Sequence, residues 1–353
     1  MPYLDKFNFE YTTQDGKEIA LFLLTNKKGN EVWITNYGAR VVAIRVPDTE
    51  GKLTDVLLGF DTIDQYFKDT TYQGAAVGRF ANRIANGQFS IDSQTYHVSK
   101  NIGDHILHGG FTGFHNQVWE VKEVSQSTIE LHLFSPDMQE GFPGNLTIKC
   151  LYTFTEEDEL IFDCSTTPDK DTVINFTQHN YFNLMGEGTG DILSHELMIN
   201  ASLFDELNDE CICEGDPIPV ENTPFDFRIA KEIGRDIKLT HEQLKLGQGY
   251  DHNYHLDNFD GQLQHVAKVA ALNGITLDIL TNQPCMQLYT SNWFSETIKG
   301  KSGRIYTKHT GFCLEPQVAP NAPNRPNLVS GVVRAGEKYE CVVVQRFGVR
   351  ERI

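Results

Sequence analysis

Positive charge is what this sequence has least of. Lysine and arginine number 30 against 48 aspartates and glutamates, so 353 residues carry a net charge of −18. With no basic excess to neutralise phosphates, nucleic acid and anionic membrane surfaces are poor partners. Long apolar runs are missing too. None approaches the ~18 residues of a membrane span, and none is expected. The start, Met1-Pro2-Tyr3-Leu4-Asp5-Lys6, lacks the basic and apolar regions of a secretory signal, so a cytosolic location is expected. Cysteine is sparse. Seven residues, Cys150, Cys164, Cys211, Cys213, Cys285, Cys313 and Cys341, make an odd, scattered set that fits reduced, mostly buried thiols. Cys211 and Cys213 are too close for a comfortable bridge and lack the spacing of zinc or redox pairs. No HExxH pattern is present, and a metal reading has little support. Helical periodicity is scarce as well: its best instance is residues 240–246, with Thr240 as candidate N-cap.

Strand signals fill the space. Leu146, Ile148, Cys150, Tyr152 and Phe154 alternate with polar or smaller neighbours. The acidic turn Glu156-Glu157-Asp158-Glu159 follows, and Leu160, Phe162 and Cys164 resume the alternation, which predicts a hairpin. Ile129, Leu131 and Leu133 repeat the pattern, as do Val42, Ile44 and Val46, and Cys341, Val343 and Gln345. Glycine (29) and proline (13) interrupt the chain at short intervals. Many short strands between turns favour an all-β sandwich or barrel over an α/β fold. There is no repeat and no linker, so one domain spanning 1–353 is expected despite the length. Gly186-Glu187-Gly188-Thr189-Gly190 lacks the third spaced glycine and the helix of a phosphate cradle and reads as a turn.

Five polar segments have no ready structural role. Arg79, Asn82, Arg83 and Asn86 lie among small residues, either as a solvated turn or as donors for hydroxyl groups. His108 precedes Gly109-Gly110, where backbone can approach a ligand closely; a satisfied loop histidine is the alternative. His179 sits in an amide-rich stretch whose alternation puts Gln178 and Asn180 on one side and His179 with Thr177 and Tyr181 on the other; it is either a core histidine or a functional one. Tyr250-Asp251-His252-Asn253-Tyr254-His255 has the composition of a carbohydrate site, aromatics for apolar ring faces and polar groups for hydroxyls, or else is a tyrosine-rich turn. Glu315 ends the apolar run Gly311-Phe312-Cys313-Leu314. A carboxylate there is costly unless paired or functional, and burial would raise its pKa toward that of a useful general base.

Taken in order, the segments resemble the aldose 1-epimerase (galactose mutarotase) family over nearly the whole chain. The resemblance rests on Asn36-Tyr37-Gly38-Ala39, Gly59-Phe60-Asp61, Asn82-Arg83-Ile84, Leu107-His108-Gly109-Gly110 and Gly141-Phe142-Pro143-Gly144. It continues through His179-Asn180-Tyr181-Phe182-Asn183-Leu184, Asp251-His252-Asn253, Gln287-Leu288-Tyr289-Thr290, Gly311-Phe312-Cys313-Leu314-Glu315 and Ala335-Gly336-Glu337. It implies a large antiparallel β-sandwich (a supersandwich) with an open cleft on one sheet, no cofactor and no metal. The implied substrate is a free hexose such as D-galactose or D-glucose, and the expected state is a monomer or weak dimer.

Carried over position by position, Glu315 matches the general base, His179 the general acid and His108 the second active-site histidine. Asn82, Arg83, Asp251 and Gln287 match sugar-binding positions. The implied reaction has an ionised Glu315 take the proton of the C1 hydroxyl while a protonated His179 donates to the ring oxygen, with a carboxylate such as Asp251 favouring the imidazolium. A bell-shaped pH profile is expected, low limb from Glu315 and high limb from His179. Gln178, Asn180, Pro316, Asn321 and Arg325 depart from the common pattern, which puts sugar preference in question. The rival readings are a hexose 6-phosphate epimerase using Arg79, Arg325 or Lys301 for the phosphate, an inactive sugar-binding protein, and a polysaccharide lyase supported by fold analogy alone.

Overall fold

Alternation along the strands decides which side of each sheet meets the core. In Leu146–Phe154, every second residue from Leu146 is buried and those between are exposed or half-buried. The partner Glu159–Thr166 repeats this, with Cys150 opposite Cys164 and Tyr152 opposite Phe162. The computed structural model describes residues 3–350, and within them this hairpin belongs to a nine-stranded antiparallel sheet. Its order is Glu120–Val124, Thr128–Ser135, Leu146–Phe154, Glu159–Thr166, Tyr339–Val349, Ile275–Thr281, Gln264–Ala270, Glu196–Ile199 and Lys231–Glu232. The C-terminal strand Tyr339–Val349 lies between Glu159–Thr166 and Ile275–Thr281 and closes the sheet.

A second, five-stranded sheet runs Ile218–Pro219, Ala201–Phe204, Asp251–Leu256, Cys285–Tyr289, Cys313–Gln317. A four-stranded N-terminal sheet holds Leu21–Thr25, Glu31–Thr35, Arg40–Pro47 and Leu53–Asp55. One apolar cluster joins all three. Ile129, Leu131 and Ile148 from the first sheet, Tyr254, Met286 and Leu314 from the second, and Val32, Ile34 and Ile44 from the third pack within it. Each fully buried aliphatic side chain there contributes about 1.5–3 kcal/mol. The expected all-β sandwich is the observed architecture. Among the described residues no helix is long and apolar enough to cross a membrane.

Two local readings need correction. The short helix is Glu242–Leu246, and its N-cap is His241, whose ring accepts from the Gln243 backbone N–H; Thr240 lies one residue outside. Val42 does not share a face with Ile44 and Val46. The register shifts between Trp33 and Ile34, leaving Val42 as the extra residue of a bulge, packed with Trp33 and Tyr66 in a separate cluster. A second helix, Ile63–Phe67, went unrecognised although Thr62 caps it, accepting from the Gln65 N–H in the manner of a capping box.

Candidate active site

The five-stranded sheet has two unlike faces. His252, Tyr254, Met286, Leu288 and Leu314 point into the core. The alternate positions Asp251, Asn253, Gln287, Glu315 and Gln317 point the other way, with Asn253 opposite Gln287 and Gln287 opposite Glu315 in register. That polar face floors a cleft of about 530 Å³, a size typical of small-molecule sites. All seven expected site residues, Asn82, Arg83, His108, His179, Asp251, Gln287 and Glu315, line it.

His108, Asn82, Gln287 and Asp251 are tied to one another by hydrogen bonds. The Asn82 backbone N–H donates to His108 Nδ1 at 3.1 Å, and the His108 N–H donates to the Asn82 carbonyl at 3.1 Å. Nδ1 is therefore the acceptor nitrogen, and the ring proton of the neutral imidazole sits on Nε2. Burial, reinforced by the His179, Arg83 and His115 rings and charge, holds His108 well below its ordinary pKa. Asn82 Nδ2 donates to Gln287 Oε1 at 3.3 Å, and Gln287 Nε2 donates to Asp251 Oδ1 at 2.8 Å. Asp251 Oδ2 also accepts from the Trp293 indole at 3.5 Å. Burial raises the Asp251 pKa against the lowering pull of Arg83 and these donors.

His179 follows the two-residue strand Thr177–Gln178, and its backbone is clamped by Gly74 and Ala75. Its ring stacks on Tyr181 at 4.8 Å. Nδ1 lies 3.5 Å from Cys313 Sγ, and Nε2 lies 3.7 Å from Glu315 Oε1. The carboxylate beside His179 is thus Glu315 itself, not Asp251. Burial lowers His179 to about 3. Burial, then the Asp251 charge, drives Glu315 well above its ordinary value. Burial thus favours the neutral form of each group, the carboxylic acid at Glu315 and the imidazole at His179. That direction is opposite to the ionised Glu315 and protonated His179 that the resemblance implies.

Other expectations are redistributed. Arg79 is buried and donates to the carbonyls of Ser135, Phe142, Pro143 and Gly144, so it pins the Gly-Phe-Pro-Gly turn and is not free for a ligand. Gly109 serves protein packing: a Cβ there would sit 2.1 Å from the Gly78 carbonyl oxygen. Tyr250 and Tyr254 are core residues. The aromatic walls of the cleft are Tyr72, Tyr181, Tyr289, Trp293 and Phe294. Tyr72 adopts φ 60° in a loop fixed by the buried Arg40–Asp69 pair, and its ring lies 4.6 Å from both His108 and His115. Its signal was weak; Trp293, three residues after the Gln287-Leu288-Tyr289-Thr290 motif ends, was within reach.

The departures from the family pattern lie outside the cleft. Gln178, Asn180 and Gln345 form a buried amide cluster with the Tyr152 hydroxyl. Arg325 pairs with Asp205, which also holds Asn253 at 2.8 Å and His255 at 3.0 Å. Asn321 accepts from the Ala85 N–H and donates to the Cys213 carbonyl. None borders the cleft.

The aldose 1-epimerase family model matches residues 20–346. The chain belongs to the aldose 1-epimerase family. It is 37% identical to galactose mutarotase of Rattus norvegicus over 339 residues, 95% of each protein. It is 35% identical to aldose 1-epimerase of Haemophilus influenzae over 332 residues, 93% of this chain and 96% of the relative. Among solved structures it resembles galactose 1-epimerase from Lactobacillus acidophilus, with a TM-score of 0.85 and 27% identity, covering 97% of this chain and 98% of that one. A GalM/aldose epimerase homologue from C. elegans gives a TM-score of 0.86 at 29% identity, covering 94% and 100%. The family's activity, interconversion of the anomers of an aldose, is the activity of this chain.

Proposed function

We propose that the substrate is a free hexose, D-galactose or D-glucose, and that Glu315 and His179 move its protons. The observation that carries this is the 3.7 Å approach of two buried, oppositely perturbed acid–base groups at the floor of the cleft.

The pair holds one proton. Transfer from Glu315 to His179 produces the reactive arrangement of carboxylate and imidazolium. The carboxylate then takes the proton of the C1 hydroxyl. The O–H electron pair becomes the second bond of the C1 carbonyl, the bond from C1 to the ring oxygen breaks, and that oxygen takes the imidazolium proton. Ring opening ends with neutral Glu315, neutral His179 and the open-chain aldehyde. This is the protonation that burial favours, so ring opening regains what the first transfer from Glu315 to His179 costs. Rotation about C1–C2 and reversal of the transfers give the other anomer. His108 Nε2–H would donate to the ring oxygen or a neighbouring hydroxyl. Asn82, Arg83, Asp251 and Gln287 would hold the remaining hydroxyls while C1 turns.

A phosphorylated hexose is less well supported. Arg79 is committed to carbonyls, Arg325 to Asp205, and Lys301 to Asp55 at 2.6 Å and the Leu57 carbonyl at 3.0 Å. The test is polarimetry of freshly dissolved α-D-galactose and α-D-glucose with the protein and its Glu315→Ala variant. Faster equilibration, lost in the variant, is the expected result. No acceleration of either sugar by folded protein would turn the reading toward hexose 6-phosphates.

A further inference from the structure

Cys313 has no part in the proton transfers just described, yet it completes an unusual set. Among the described residues, His179, Cys313 and Glu315 each present one ligand atom, all within 4.8 Å of one another, and all three are buried. The imidazole lies between the other two, with Cys313 Sγ 3.5 Å from Nδ1 and Glu315 Oε1 3.7 Å from Nε2, so one ring nitrogen serves as the ligand atom and the other keeps its proton. A tetrahedral zinc ion bound at ~2.0–2.3 Å to nitrogen, oxygen and thiolate sulfur asks for donors of these three kinds ~3.3–3.6 Å from one another. Side-chain rotation toward the ion has to bring the three donors from within 4.8 Å of one another to that spacing.

We propose that this triad is an inhibitory site for a soft or borderline divalent cation such as Zn²⁺ or Cd²⁺, which competes with sugar. The competition rests on the assignment of Glu315 and His179 as the proton carriers. The ion forms one bond each to sulfur, nitrogen and oxygen. The Cys313 thiol proton and the Glu315 carboxyl proton leave to solvent, and nothing is oxidised or reduced. The fourth position is left to water on the side where His179 and Glu315 border the cleft. Mg²⁺ and Ca²⁺, which require several oxygen ligands, are excluded by the thiol and the imidazole.

The experiment uses the full chain freed of metal with a chelator. Zn²⁺, Cd²⁺ and Mg²⁺ are titrated into a polarimetric assay at several sugar concentrations. Zinc and cadmium are expected to inhibit, with relief by excess sugar and by chelator, and magnesium to have no effect. Since outer-shell changes alone cost 10–100-fold in metal affinity, loss of a direct ligand in Cys313→Ser should weaken inhibition at least ~100-fold. Cys313→Ala serves as a second variant should the serine disturb folding, and melting curves check both. Cys211, the cysteine that lines the cleft, is the control: Cys211→Ser should leave inhibition in place. Co²⁺ titration supplies a readout independent of activity, a thiolate-to-cobalt charge-transfer band present in the native chain and lost in Cys313→Ser. Equal zinc inhibition in Cys313→Ser, loss of inhibition in Cys211→Ser, inhibition untouched by sugar, or magnesium matching zinc would each overturn the site. Absence of epimerase activity in the metal-free protein would instead overturn the assignment of the proton carriers, and the cobalt band would still report whether the ligands meet.

Discussion

Replacing Glu315 with Gln should slow the enzyme and stabilise the fold. The amide keeps the shape of the side chain but cannot exchange a proton with His179 at 3.7 Å. A positioned acid–base group supplies ~10²–10⁴-fold, and at ~1.36 kcal/mol per tenfold this raises the barrier by about 2.7–5.4 kcal/mol. Stability should move the other way. Burial raises the folded-state pKa of Glu315 above that of the unfolded chain. Between those two values the folded state binds more protons, so the native protein loses stability as pH rises from about 4.5 toward the folded pKa. Glutamine has no proton to lose. Glu315→Gln should therefore melt higher than the native protein at neutral to alkaline pH, and the gap should close toward pH 4.5. Polarimetry gives the rate, and melting curves across the pH range give the second reading. A rate within about tenfold of native would move the base elsewhere. Melting curves with the same pH dependence in both proteins would refute the claim that burial holds Glu315 protonated.

The pH profile of the native enzyme should be broad. Its acid limb falls toward pH 3 as a second proton enters at His179, and its alkaline limb lies well above 4.5, where the pair loses the proton held by Glu315. A sharp loss of activity between pH 5 and 6 would contradict it. Asp251→Asn removes a charge that raises the Glu315 pKa, so the alkaline limb should shift to lower pH, measured as kcat against pH. Arg325→Met breaks a buried pair with Asp205 and should cost ~3–5 kcal/mol in denaturant unfolding, with the galactose-to-glucose rate ratio unchanged because neither residue borders the cleft. A changed ratio would return Arg325 to sugar selection.

Much of this was legible in the chain because a sheet enforces a period of two. The strands at Leu146–Phe154, Glu159–Thr166, Thr128–Ser135 and Tyr339–Val349 could be read from alternation alone. The same period put Glu315 on the face away from Leu314. What periodicity could not supply was the company each side chain keeps across the fold. Arg79 looks like Arg83 in sequence, yet it turns to backbone carbonyls more than fifty residues away. Tyr254 looks like a sugar platform, yet it occupies an inward position on a strand whose outward neighbours are Asn253 and His255. The bulge at Val42 and the cap at His241 were hidden because each depends on a single local hydrogen-bonding choice. The preference of Glu315 for its neutral form follows from depth of burial, which a residue's neighbours in sequence do not reveal.

The two proton carriers stand on different supports. Glu315 rides on the five-stranded sheet, whereas His179 hangs from the Thr177–Gln178 strand and the Gly74–Ala75 turn. Between them the chain makes the bridge Phe182 to Phe312, whose rings pack 5.7 Å apart. The gap between acid and base is therefore a spacing between two chain segments, gauged by a buried aromatic contact that does not line the cleft. Because a misplacement of ~1 Å can cost ~10²-fold in rate, shortening either ring should lower turnover more than it weakens sugar binding.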